Sequence, residues 1–352
     1  MQTRRRYAMV FLASLAILVA GISTAPIMFD EPAYVGAARN FIDGTPSINP
    51  QHPPLAKYFI ALSIQVFGDC AFGWRFPSAL AGALLALSVF GLTFRLASNL
   101  RTAYVAWVLI VANGFWFVMG RVAMLPIFEL AFEAAGVSVF LAAVRQKNLR
   151  LLACSGGLFG LSIGCRWSGV VGLAVCSVYA LFRCRPLVKS VAALPGTAVA
   201  VYTACWIPLL VREHRAIPYL LAANNFIYQF HHHAEGDPRL GEAWWSWFFR
   251  FEPQPALSYL VGNPVVGILG LGAVVVLLWQ KKPLLPALYL AHVLQWAIGV
   301  KPLTFYYYYF EAFTWLTVAL AVALQGVSIR RVRLDVLVSA CAAAVFVQHY
   351  LM

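Results

Sequence analysis

Most of this chain is written in long apolar runs broken by short basic clusters, and that pattern leaves few folds open. A helix that crosses a bilayer needs about 20 apolar residues. By that measure spans are expected near 7–25, 77–97, 103–119, 122–144, 151–164, 168–183, 190–211, 256–279, 283–299, 305–325 and 334–350. The whole sequence is 62% hydrophobic and 11% charged. Soluble domains run at about 45–50% and about 25%, so an ordinary soluble enzyme is excluded. The expectation is an all-α polytopic membrane protein, one membrane domain over 1–352.

A net charge of +13 suggests a nucleic-acid partner until the charges are placed along the chain. With the N-terminus on the cytoplasmic side, the inner segments collect sixteen basic residues against the single acid Asp335. Inner loops gather Lys and Arg, so this asymmetry sets the orientation, and eleven crossings put the C-terminus outside. No nucleic acid is expected. Arg4, Arg5 and Arg6 precede the first run, which reads as an uncleaved anchor. The stretch 151–183 is long enough for one tilted helix, but Gly164, Arg166 and Gly169 interrupt it, which favours two short spans meeting at the outer surface. The seven cysteines are scattered without ligand spacing, so neither a disulfide framework nor a structural zinc is expected.

Two external segments, 26–76 and 212–255, are far longer than turns, and loops of that length carry function. No internal repeat is visible, which argues against inverted-repeat transporters. The first segment presents Asp30-Glu31 just after the first span. Adjacent side chains diverge, so the two carboxylates cannot address one atom; one can act as a base while the other is held by a cation or backbone donors. On position alone the pair reads as a solvated helix end. Pro53-Pro54 then starts a helix, Leu55 to Phe67, with apolar residues at spacings of three and four: an interfacial helix with Lys57 on its first turn. As a lone lysine, Lys57 reads equally as a snorkelling side chain.

Phe29-Asp30-Glu31-Pro32-x-Tyr34, His52-Pro53-Pro54-Leu55-Ala56-Lys57 and Gly73-Trp74-Arg75-x-Pro77-Ser78-Ala79-Leu80 together resemble the protein O-mannosyltransferase family. These are the dolichyl-phosphate-mannose–protein mannosyltransferases, glycosyltransferase family 39, with the GT-C membrane fold. Gly120-Arg121-x-x-Met124-Leu125, Gly160-x-x-x-Gly164-Cys165-Arg166-Trp167 and Trp244-Trp245-Ser246-Trp247 follow in the same order, and Tyr306 to Tyr309 match more weakly. The resemblance covers roughly 25–325. It implies a GT-C-like bundle of about 11 transmembrane helices with interfacial helices in the first external loop. It implies an inverting transfer of mannose from a polyprenyl (dolichyl-type) phosphate donor to Ser or Thr hydroxyls of exported proteins, outside the membrane and without a metal or other cofactor. Asp30 is then the expected base, with Glu31 beside it. Arg121, Arg166 and Lys57 are expected at the donor phosphate, since a guanidinium fork matches phosphate oxygens. His52, Trp244, Trp245 and Trp247 are expected at the acceptor side or its covering loop. The second loop has no room for the β domain inserted in eukaryotic members, which favours a bacterial or archaeal plasma membrane.

One departure stands out. Where the family commonly carries an aspartate after Arg-x-x-Met-Leu, this chain has Pro126. Glu129 and Glu133, one and two turns later, are candidates to take over that role, and intramembrane acids are functional candidates in general. Glu311, His292 and Lys301 are similar cases. His231, His232 and His233, with Glu235 and Asp237 near, lack convergent metal spacing, so no metal is expected. Rival readings are a GT-C transferase moving aminoarabinose or arabinose to lipid A or another envelope glycan, a transporter, and a non-catalytic partner subunit. A homo- or hetero-dimer is open.

Overall fold

Inside a bilayer the backbone has no water to bond, so each crossing must satisfy its own polar groups, and helices do so. The computed structural model describes residues 2–28, 30–183, 189–190, 192–212, 216–233, 241–250, 260–298, 303–329 and 332–350. The helices in chain order are α1 (Gln2–Val19), α2 (Glu31–Asp43), α3 (Leu55–Phe67), α4 (Ala71–Ala97), α5 (Leu100–Val111), α6 (Gly114–Met119), α7 (Leu125–Gln146), α8 (Leu149–Cys165) and α9 (Val170–Arg183). They continue as α10 (Thr197–Ala204), α11 (Ile207–Arg212), α12 (Ala216–His233), α13 (Pro264–Trp279), α14 (Leu284–Ala297), α15 (Tyr309–Ala323) and α16 (Leu334–Tyr350). A two-residue antiparallel pair, Ser328–Ile329 with Val332–Arg333, is the strand content among the described residues.

Every expected span has a helix or a helix pair under it. Gln2–Thr24, Ala71–Ala97 and Leu125–Gln146 are long and apolar enough to cross a membrane by themselves, and the other apolar helices are shorter. The protein is an integral membrane protein, helical but for that short strand pair among the described residues. Four helix starts are capped by asparagine, the residue type best suited to accept from orphan N–H groups. Asn99 serves α5, Asn113 α6, Asn148 α8 and Asn263 α13. Buried Asn263 also donates to Ala112 O and Ala342 O, at 2.8 and 2.9 Å, tying the end of α5 to α16.

Two expectations change in detail. Helix α4 begins at Ala71, not near 77. Its first turns carry Arg75, which an apolar window rejects, but that charge is neutralised within the fold. The interruption in 151–183 falls at Arg166, whose φ of −161° and ψ of 141° are extended. Helix α8 packs against α7 and α10, whereas α9 packs against α14, so the two are separate elements that diverge from Arg166. A Cβ on Gly169 would lie 3.0 Å from the Ile163 nitrogen, which is why the reversal is so close.

Contacts sort the segments onto two ends. Arg101 and Arg333 meet Asp335 at 2.8 and 3.1 Å, and Gln325 bonds Ala97 O, at one end. Arg75 bonds the carbonyls of Ile22 and Ala25, and Arg121 shares a cavity with Ala25 and Tyr350, at the other. This sorting is the one an odd number of crossings produces. The second end holds the first long loop and, through Arg212 on Gly44 O and His231 on Gln51 O, the described parts of the second.

Candidate active site

The acidic pair at the head of α2 separates into two roles. Glu31 is buried and saturated. Arg75 grips it with two bonds, Nε to Oε1 at 2.7 Å and Nη2 to Oε2 at 2.8 Å. The Ala123 amide donates to Oε1 at 2.9 Å and that of Met28 to Oε2 at 3.4 Å. Arg75 meanwhile donates to carbonyls at the end of the first span, so this ion pair welds the loop to α4. Asp30 precedes α2 but makes no side-chain cap. Half-buried, its Oδ2 accepts a 2.9 Å hydrogen bond from the Tyr307 hydroxyl. Of two acids expected at the chemistry, Glu31 is held by cation and backbone and Asp30 faces the last spans.

Tyr307 and Tyr308 connect Asp30 to Arg166. Their rings lie 4.6 Å apart, and the Arg166 guanidinium sits 4.7 Å from the Tyr308 ring and 5.8 Å from Trp296. Tyr34 on α2 feels both charges. Burial, then the charge of Asp30, pushes its phenol well above the usual value, while Arg166 works in the opposite direction. Arg166 opens onto a cavity of about 340 Å³ lined by His52, Trp167, Ser168, His231, His232, Gln295, Trp296 and neighbouring apolar side chains. An arginine at the head of an apolar-walled cavity, with a tyrosine-held carboxylate nearby, suits a lipid-linked anion and a proton acceptor.

Behind Arg166 lies a cluster of fully buried ionisable groups. Arg166 pairs with Glu311, and its Nη1 is 3.5 Å from Glu129 Oε2. His292 stands between Glu133, 2.7 Å from Nε2, and Glu311, 3.4 Å from Nδ1. Gln295 donates to Glu311 at 3.2 Å. Gly172 leaves the space that the Glu133 carboxyl fills. Glu129, Glu133, Glu311 and His292 are thus one assembly reaching the cavity through Arg166.

The remaining expected residues divide. Lys57 is buried and donates to Asn49 O at 2.6 Å and His52 O at 2.8 Å, so it anchors the loop that carries His52. Desolvation lowers its pKa to about 7. It lines a second cavity of about 370 Å³, which shares His52 with the first. Arg121 is not brought to Arg166. It donates to the carbonyls of Ile17, Leu18, Ala20 and Gly21, closing the end of the first span, and lines a third cavity of about 350 Å³ with Phe117 and Tyr350. The two arginines expected to act as a pair lie in different cavities. Helix C-terminal carbonyls attract a cation, which is where Arg121 goes.

Trp247 is buried against Trp296 and Tyr309 at 6.3 and 6.0 Å, Trp244 is half-buried and Trp245 exposed. His232 and His233 turn to the carbonyls of Tyr228 and Gln229 on their own helix, and His231 to Gln51 O. Among the described residues no three metal-ligating side chains gather. Glu235, Asp237 and Lys301 lie outside the described residues. Sequence reasoning did not single out Arg75, Tyr307, Tyr34 or Gln295 as site residues. Arg75 and the tyrosines stood within quoted motifs, and an arginine in the first turns of a span was signal enough to seek its acid.

Comparison with known proteins bears on this geometry. Residues 51–211 match the family described as dolichyl-phosphate-mannose-protein mannosyltransferase. A polyprenol-phosphate-mannose–protein mannosyltransferase of Corynebacterium glutamicum is 31% identical over 183 residues, 46% of this chain and 35% of the relative. One of Mycobacterium tuberculosis is 33% identical over 122 residues, covering 33% and 23% respectively. The matched stretches span 35% and 23% of these two relatives' length. Among solved structures, ArnT from Cupriavidus metallidurans bound to undecaprenyl phosphate superposes with a TM-score of 0.67 at 17% identity, over 92% of this chain and 60% of that one. The S. cerevisiae protein O-mannosyltransferase Pmt1-Pmt2 complex bound to the sugar donor gives 0.53 at 19%, over 59% and 33%. The overall fold is that of these two solved structures.

Proposed function

We propose that this chain, whose residues 51–211 match the dolichyl-phosphate-mannose-protein mannosyltransferase family, is an inverting glycosyltransferase that moves mannose from a polyprenyl phosphate to a Ser or Thr hydroxyl of an exported protein. The observation that carries this reading is the tyrosine-linked array of Asp30 and Arg166 beside an apolar-walled cavity. Displacement with inversion needs a base on the acceptor side of the anomeric carbon and a cation on the leaving side. Asp30 takes the acceptor proton, and the Tyr307 hydroxyl fixes the carboxylate's direction. Arg166 receives the departing phosphate, whose polyprenyl chain lies along the apolar wall. Glu31 and Arg75 hold Asp30 in place from behind and do not touch substrate. The active end faces the outside of a bacterial or archaeal plasma membrane, with the N-terminus in the cytoplasm.

The test is an incubation of membranes with radiolabelled polyprenyl-phosphate mannose, followed by separation of protein from lipid. Label in protein, lost in Asp30→Asn, supports the reading. Because the ArnT superposition covers the larger share of the chain, a second arm offers polyprenyl-phosphate aminoarabinose and lipid A. Transfer in that arm alone replaces the protein acceptor with an envelope glycolipid.

A further inference from the structure

The buried cluster behind Arg166 has a charge problem. Three carboxyls, Glu129, Glu133 and Glu311, face one guanidinium and one imidazole. Even with His292 charged, two of the carboxylates must share one cation, and a buried carboxylate that loses its share is left uncompensated and strongly disfavoured in its charged form. The three are not equivalent. Glu133 receives His292, and Glu311 receives Arg166 and Gln295. Neither Glu129 oxygen accepts a bond from an N–H or hydroxyl donor among the described residues, and its carboxyl lies within hydrogen-bonding reach of the Glu311 carboxyl. Its nearest cation is Arg166, 3.5 Å away and already paired with Glu311. Its neighbours are Glu133 on its own helix, Cys165 and Arg166 at the end of α8, and Glu311 on α15. His292 on α14 and Cys176 on α9 address Glu133. Arg75 on α4 is taken by Glu31, and Lys57 on α3 by loop carbonyls.

We propose that Glu129 is a positioning residue that competes with the donor for Arg166: ionised it shares the guanidinium with Glu311, and protonated it releases that cation to the donor's phosphate. The inference rests on the reading of the Arg166 cavity as the donor site and adds a proton to it. A phosphodiester entering this cavity brings one more negative charge beside two carboxylates. Repulsion at such distances in a poorly solvated interior is large, so donor binding and protonation of Glu129 favour each other. No bond to carbon is made or broken in the step. A proton moves from solvent to a Glu129 oxygen as the phosphate oxygens take its place at Arg166.

The experiment uses the full chain in nanodiscs and a polyprenyl methyl phosphate, a diester whose own charge does not change with pH. Its affinity is measured by calorimetry from about pH 6 to about pH 9, in two buffers of different ionisation enthalpy. The expected result is proton uptake on binding and an affinity that falls as pH rises, by up to about tenfold per pH unit for one linked proton. Glu129→Gln binds with a flat profile and no proton uptake, and Glu129→Asp restores the slope. If Glu129→Gln does not fold, His292→Gln decides: proton uptake that persists without the imidazole supports Glu129, and uptake lost with it overturns the inference. Binding with a flat profile and no uptake overturns this inference alone. A slope that survives Glu129→Gln and vanishes in His292→Gln gives the proton to the imidazole, and overturns it too. No binding at any pH removes the donor-site reading and this inference with it.

Discussion

Replacing Glu31 and Arg75 singly and together tests whether that pair is structural. Both side chains are almost wholly buried, at 2% and 1% exposure. Removing one partner of a buried ion pair leaves the other charge without compensation, at about 3–5 kcal/mol. Glu31→Ala also strips the acceptor from the Ala123 amide, and Arg75→Leu strips the donor from the Ile22 and Ala25 carbonyls. Each such lost bond adds about 1 kcal/mol. Glu31→Ala is therefore expected to lose about 4–6 kcal/mol and Arg75→Leu about 5–7 kcal/mol. The double variant carries the lost hydrogen bonds but no orphaned charge, so it is expected to fall short of the sum by at least about 3 kcal/mol. Reversible unfolding of the purified protein in mixed micelles, followed by tryptophan fluorescence, reads all four corners of the cycle. Additive losses would refute the reasoning, because a pair that does not couple cannot be what holds the acidic loop against α4.

Tyr307→Phe removes one bond to the Asp30 carboxylate and is expected to lower turnover about 10- to 100-fold, with donor KM little changed, in the radiolabel assay. Arg166→Lys keeps a charge but loses the fork, so donor KM should rise about tenfold or more, whereas Arg121→Ala should leave donor KM alone and lower thermal stability, because its partners are the carbonyls closing the first span. Lys57 has a pKa lowered to about 7, so between that value and the usual 10.5 the unfolded chain binds the extra proton. Its contribution to stability then improves as pH rises through that window, and a nitrogen-15 titration of Lys57 should show a midpoint near 7, not near the usual lysine value.

Much of the fold was legible because a bilayer penalises every unsatisfied polar group, so apolar runs and basic clusters locate crossings directly. The start of α3 followed from Pro53-Pro54, and the break at Arg166 from glycines flanking a charge. The site was legible only in part. That Asp30 and Glu31 could divide into a base and a held partner followed from their adjacency, but which one is held depends on Arg75, forty-four residues away from Glu31. Arg121 and Arg166 both stood at outer ends of spans, and only packing shows that the first caps a helix while the second meets Glu311. The grouping of Glu129, Glu133, His292 and Glu311 comes from three helices and has no local signature. Pro126 in place of an acid was visible in the sequence, and its structural counterpart, carboxyls gathered behind Arg166, was not.

Asp30 carries the central claim, and one isosteric change isolates it. Asp30→Asn keeps the shape and a partner for the Tyr307 hydroxyl but cannot accept the acceptor's proton. With protein level, thermal stability and phosphodiester binding matched to the unaltered chain, transfer of radiolabelled mannose from polyprenyl phosphate is expected to fall to background. Transfer at an undiminished rate by that folded, donor-binding variant would contradict the assignment of the base and the mechanism built on it.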